Sequence, residues 1–206
     1  EAARYSKLPS STVRRWVFGF REHSGIIEAG LPRLVRYRAV SFLTLIELGL
    51  MGRFKSRGLS ARKLREAGEV LSQERGIKHP FAYEHLLQTD GRELYLLYED
   101  TYRQLTGRHR NNMVLKDVIE QFFKEIDFEN EYASRWRPSA GQGIVILDPT
   151  IRFGEAVIVG TRIPTSGIAD QIKAGDSAKE VALCYDLSIE QVQAATRFEE
   201  RLLKAA

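Results

Sequence analysis

The chain has 206 residues, 43% of them hydrophobic and 28% charged, which is enough for more than one core. No run approaches the roughly 20 apolar residues of a membrane span, no signal-peptide pattern is read, and a single cysteine, Cys184, excludes an internal disulfide framework and fits a reducing cytoplasm. Residues 1–76 hold 15 Lys+Arg against 7 Asp+Glu, net +8, whereas residues 77–206 hold 16 against 20, net −4, so the two parts are expected to meet different partners, with phosphates for the first.

The opening stretch, EAARYSKLPSSTVRRW, reads as a short helix over Glu1–Tyr5, a break, and a second helix. Pro9 biases Leu8 out of the helical region, and Ser10 or Ser11 can cap the second helix. Val13 and Trp16 share one face of that helix, while Thr12, Arg14 and Arg15 point elsewhere. This is the layout of a helix-turn-helix, whose second helix lies in the major groove. Ser11, Thr12, Arg14 and Arg15 are therefore the candidates to approach bases or phosphates. Residues 17–38 are rich in Gly with alternating apolar positions, and predict a hairpin or wing. Arg33, Arg36 and Arg38 sit there, placed to hold backbone phosphates.

Two helices come next. Ser41 caps one running through Phe42, Leu45, Ile46 and Leu48 to Gly49. Ser60 caps the other, with Leu64, Ala67 and Leu71 on one face and Gly76 as its stop. Helix-turn-helix, wing and two helices resemble, in that order, the MerR-type winged helix. The resemblance rests on EAARYSKLPSSTVRRW and on GLSARKLREA at the expected distance, and it implies DNA binding.

Residues 77–133 are read as a connecting and dimerisation region. Asp90-Gly91 lies between two alternating apolar runs, a hairpin signal. Leu115 to Ile126 repeats apolar residues at helical spacing. SRWRPSAGQG, residues 134–143, is dense in Gly, Pro and Ser and predicts a linker.

From residue 144 to 206 a second small domain is expected. Val145 to Pro149 forms a strand entering a turn, and Gly154-Glu155 separates two further apolar runs. Ser177-Ala178-Lys179-Glu180 and Ser188-Ile189-Glu190-Gln191 each have the form in which the serine and the third residue cap one another's backbone N–H groups. The predicted interior holds Ile168, Ile172, Val181, Ala182, Tyr185, Leu187, Val192, Ala195 and Phe198. The expected fold class is thus mainly α with small β-hairpins: an N-terminal MerR-like winged helix-turn-helix over 1–76 plus a C-terminal helix-turn-helix domain.

The wording DP…FGEAVIVGTRIPT…IADQIKAGDSAKEVALCYDLSIEQVQAA resembles the bacterial domain of unknown function family four hundred and thirty-three, over about residues 144–200. With the MerR-like start, HPFAYEHL and RWRPSAG, the whole chain resembles a longer VapB-type antitoxin. That resemblance implies a cognate VapC-like toxin, a Mg²⁺-requiring PIN-domain ribonuclease, which the antitoxin silences while repressing their shared operon. Residues 144–206 carry 7 Lys+Arg and 9 Asp+Glu, net −2, a poor balance for groove binding. Double-stranded operator DNA is accordingly assigned to residues 1–76 and protein contacts to the rest, with a homodimer to match two-fold operators. The toxin-binding residues are undetermined: inhibition uses either a folded surface or a tail beyond RFEERLLKAA.

Catalytic chemistry is not expected. His23, His79, His85 and His109 are scattered without zinc-ligand spacing, and they read as surface or core histidines. Cys184 reads as a small buried residue. No glycine-rich phosphate loop or converging carboxylate set is present, and neither a cofactor nor a metal is expected. Two rivals remain: a stand-alone MerR-like regulator without a toxin, and a protein-binding adaptor whose helix-turn-helix units only scaffold.

Overall fold

The structure, a computed structural model, describes residues 1–20, 24–31, 39–84 and 113–204. It is mainly helical with a small four-stranded sheet. The chain divides into two compact units, one of residues 1–124 and 129–133, the other of 125–128 and 134–206. Of the wing expected over 17–38, Val17 and Phe18 belong to α2 and residues 24–31 form bends without a strand, because the chain folds straight back onto Trp16; Arg33, Arg36 and Arg38, like the Asp90-Gly91 hairpin, lie outside the described residues.

In the first unit α1 (Ala2–Ser6) and α2 (Ser10–Phe18) are followed by α3 (Phe42–Ser56), α4 (Ala61–Arg75), a 3-10 turn (Pro80–Ala82) and α5 (Met113–Phe123). Neither Ser10 nor Ser11 caps α2: the helix starts early enough that Pro9 is the cap residue, its carbonyl accepting from the N–H groups of Thr12 and Val13. The serine caps of α3 and α4 do form, Ser41 Oγ accepting from Thr44 N–H at 3.1 Å and Ser60 Oγ from Lys63 N–H at 3.3 Å.

α3 does not stop at Gly49. It is the spine of the unit, with α1, α5 and the 3-10 turn packed on it, and residues 44–51 are buried on all sides. Gly52 allows that packing, because a Cβ there would meet Ser6 O at 2.6 Å. Gly25 plays the same part at the end of α2. The chain turns back so closely that Ile26 and Ile27 N–H both donate to Trp16 O, and a Cβ on Gly25 would lie 2.5 Å from Val17 O.

A sheet of β1 (Ile126–Glu129), β2 (Tyr132–Trp136), β3 (Val145–Leu147) and β4 (Ala156–Ile158) runs in sequence order; apart from the tip of the β1–β2 hairpin, residues 129–133, it belongs to the second unit. β3 pairs antiparallel with β2 at Leu147–Trp136 and with β4 at Val145–Ile158, Ile146–Val157 and Leu147–Ala156. The expected linker therefore contains a strand, and Ile126 belongs to β1 rather than to the helix before it. β2 and the residue after it are fixed by their side chains: Trp136 is buried, Arg135 pairs with Asp148 at 2.8 Å, and Arg137, just past the strand, with Asp127 at 2.9 Å.

α6 (Thr165–Ala174), α7 (Ala178–Tyr185) and α8 (Ile189–Lys204) complete the unit. Both serine capping pairs are made, Ser177 with Glu180 and Ser188 with Gln191. The core joins Ile158, Ile168, Val181, Ala182, Val192 and Ala195, with Ile172, Tyr185 and Leu187 partly buried against it and Phe198 fully buried. Because α7 turns residues 178, 181, 182 and 185 inward, Cys184 faces solvent, not the core.

Asp148 orders the turn after β3. Burial opposes its ionisation, but the Thr150 hydroxyl and N–H and the Arg135 guanidinium outweigh burial and hold its pKa below the ordinary aspartate value. Its stabilisation is thus present above the unfolded-state pKa and lost as pH falls through the lower folded-state value. Asp148→Asn is expected to lower the thermal midpoint at pH 7 and to flatten the acid dependence of stability below about pH 4, both read by circular dichroism melts across pH. Gly25→Ala is expected to destabilise the first unit by about 1–3 kcal/mol in denaturant unfolding, because backbone carbonyls cannot yield to the added methyl.

Candidate nucleic-acid interface and partner surface

Helical periodicity decides what α2 presents. Thr12, Val13, Trp16 and Val17 are buried, whereas Ser11, Arg14 and Arg15 are exposed. Thr12 thus points into the core, and only three of the four residues expected on this helix share the solvent face. Among the described residues no carboxylate pairs with Arg14 or Arg15.

Arg15 also lines a cleft of about 400 Å³ with Trp16, Phe20, Ser24, Ile26, Ala61, Arg62 and Arg65. Its floor is apolar, and the charged groups among these residues are three guanidiniums. Arg65 Nη2 donates to Ser24 O at 3.1 Å, and Arg62 Nε to Glu66 Oε1 at 2.8 Å on an exposed helix face. The indole Nε1 of Trp16 and Nε of Arg65 are buried donors without a protein acceptor. The cleft wall is therefore rich in cations and donors, the chemistry that favours an anion. Arg62 and Arg65 carry no signal of this in the sequence, where they are only the polar side of an amphipathic helix; the fold places them around the same cleft as Arg15.

Other cations are committed elsewhere. Arg4 pairs with Glu1 at 3.5 Å and Lys63 with Glu66 at 3.8 Å. The Arg53 guanidinium stacks 4.1 Å from the Phe122 ring centroid, where it closes the α3–α5 contact rather than facing a ligand.

His79 is a core histidine. Its Nδ1 lies 2.9 Å from Glu47 Oε2, and Phe81 N–H donates to the other carboxylate oxygen, which ties the 3-10 turn to α3. Burial raises the Glu47 pKa against the pull of His79 and the Phe81 N–H. Among the described residues no group of three His, Cys, Asp or Glu side chains could hold a metal ion, and no helix is long and apolar enough to cross a membrane.

The second unit exposes two large apolar side chains almost completely. Leu183 on α7 is 86% exposed and Phe153 is 103% exposed. Phe153 sits in the turn between β3 and β4, where Arg152 (φ 48°), Phe153 (φ 57°) and Gly154 (φ 82°) succeed one another in the left-handed region. For a residue as bulky as phenylalanine that backbone costs on the order of 1–3 kcal/mol. The sequence shows only a turn glycine here; nothing local marks its two predecessors as left-handed.

Comparison with known proteins bears on both units. A family described as "Protein of unknown function (DUF433)" matches residues 145–198, from β3 to α8. "Putative antitoxin VapB45" of Mycobacterium tuberculosis (strain ATCC 25618 / H37Rv) is 24% identical over 216 residues, covering 95% of this chain and 90% of that protein. The X-ray crystal structure of Rv2018 from Mycobacterium tuberculosis superposes with a TM-score of 0.72 at 21% identity, over 95% of this chain and 94% of that one. The architecture of this chain is thus one already seen in a crystal, at nearly full length.

Proposed function

We propose that this chain is a VapB-type antitoxin of a type II toxin–antitoxin system, which neutralises a cognate VapC-like PIN-domain ribonuclease and, as a homodimer, binds operator DNA to repress its own operon. The observation that carries the reading is the nearly end-to-end similarity to the VapB45 antitoxin relative, which spans both units rather than one borrowed domain. The protein acts by binding and has no catalytic role in this scheme.

The two units divide the work by charge. In the first, α1 and α2 form a MerR-like winged helix-turn-helix in which α2 enters the major groove and Ser11, Arg14 and Arg15 face the duplex, joined by Arg15's neighbours Arg62 and Arg65 at the cleft rim. Arg33, Arg36 and Arg38 hold the flanking backbone. Arg14 and Arg15, without a carboxylate partner among the described residues, can release counterions from phosphate, which is what drives such binding. The second unit, net −2 over residues 144–206, repels a duplex and serves protein contacts.

In a gel shift on the DNA upstream of its own gene, the double variant Arg14→Ala, Arg15→Ala is expected to bind more weakly. Its plot of log affinity against log salt should be shallower by about two, one for each phosphate left without its arginine. Affinity and slope equal to those of the unaltered chain would retire the DNA assignment.

A further inference from the structure

The turn between β3 and β4 spends backbone strain to hold one aromatic ring in water. Phe153 packs on nothing, yet the turn around it is fixed from several sides. Ile151 N–H donates to Asp148 O at 3.0 Å, Gly154 N–H to Ile151 O at 3.0 Å, and Glu155 N–H to Arg152 O at 3.2 Å. Arg152 Nε donates to Glu155 Oε2 at 2.8 Å, and Ser166 Oγ to Glu155 Oε1 at 3.2 Å, which ties the turn to the start of α6. Strained positions persist only where their surroundings over-determine them, and they cluster at functional sites.

The chemistry around the ring sets what it can recognise. The turn's backbone groups are largely engaged with one another and the Arg152 charge is met by Glu155, so the ring has apolar surface to offer and little else. A nucleic-acid base or an anionic membrane would bring phosphates against a unit of net −2, with 7 Lys+Arg and 9 Asp+Glu over residues 144–206. A protein pocket that is apolar and the size of a phenyl ring carries no such penalty, and a rigid aromatic knob entering one is the usual anchor of a protein interface.

We propose that Phe153 is the anchor through which the second unit docks into an apolar pocket of the partner toxin. This rests on the antitoxin reading above and names the residue on which that docking turns.

The test uses the full chain and the protein encoded beside its gene, co-expressed, purified and compared by calorimetric titration. Phe153→Gly and Phe153→Ala are expected to weaken the complex by about tenfold or more. The melting point of the free Phe153→Gly protein should not fall, because no packing is removed and glycine accepts the left-handed backbone. Leu183→Ser, which removes a comparably exposed side chain from regular helix, should leave affinity within about threefold. Equal binding by the Phe153 variants and the unaltered chain overturns the anchor while leaving the antitoxin reading intact. No binding by the unaltered chain overturns that reading and the anchor with it. A melting point that falls in both Phe153 variants makes the residue a folding element, and a dimer that becomes a monomer makes its partner a second copy of this chain; either result also overturns the proposal.

Discussion

Burial of the Trp16 face of α2 is the constraint on which the first unit's surface depends. A helix of nine residues does not persist alone in water. It persists here because Val13, Trp16 and Val17 are taken out of solvent and because the succeeding chain folds back to donate two N–H groups to Trp16 O. Once that face is chosen, the direction of Arg14 and Arg15 is no longer free: they stand opposite, in water, with no carboxylate among the described residues to neutralise them. The start of α4 lines the same cleft as Trp16 and Arg15, through Arg62 and Arg65. Three guanidiniums thus stand around the cleft beside the Trp16 indole.

The second unit solves a different problem. Its sheet and three helices close around a small aliphatic core, and its polar interior groups are paired: Asp148 with Thr150 and Arg135, Thr165 with Glu199. Against that economy an exposed phenylalanine in left-handed backbone stands out as a departure. On the reading proposed here, one unit supplies charge to a polyanion and the other supplies shape to a protein, and neither surface is suited to the other's task.

How much of this can be read from the chain depends on how local the cause is. The serine caps of α3, α4, α7 and α8 are legible because a hydroxyl, two or three residues and an adjoining apolar face suffice to specify them. The interior of the second unit is legible for the same reason, as helical spacing alone selects Val181, Val192 and Phe198. β1 and β2 are not. They form a hairpin that turns at Asn130-Glu131, two non-glycine residues of positive φ that carry no glycine signal, while SRWRPSAGQG shows its Gly, Pro and Ser openly and the partners of Trp136, Arg135 and Arg137 lie ten or more residues away. Thr12 departs from its expected place because the α2 face is wider than the Val13–Trp16 pair suggests. The capping role expected of Ser10 or Ser11 fails by one residue, the difference between a helix starting after Pro9 and one starting later. Phe153 is invisible, since φ is not written in side-chain chemistry except at glycine and proline.

The central claim is that phosphates are met by the first unit and not by the second. Photo-crosslinking of the full chain to the DNA upstream of its gene, with mapping of the crosslinked peptides, tests it most directly. The division of charge predicts crosslinks within residues 10–18 and 61–65 and none within 144–204. Crosslinks concentrated on α7 and α8, with residues 10–18 untouched, would contradict it.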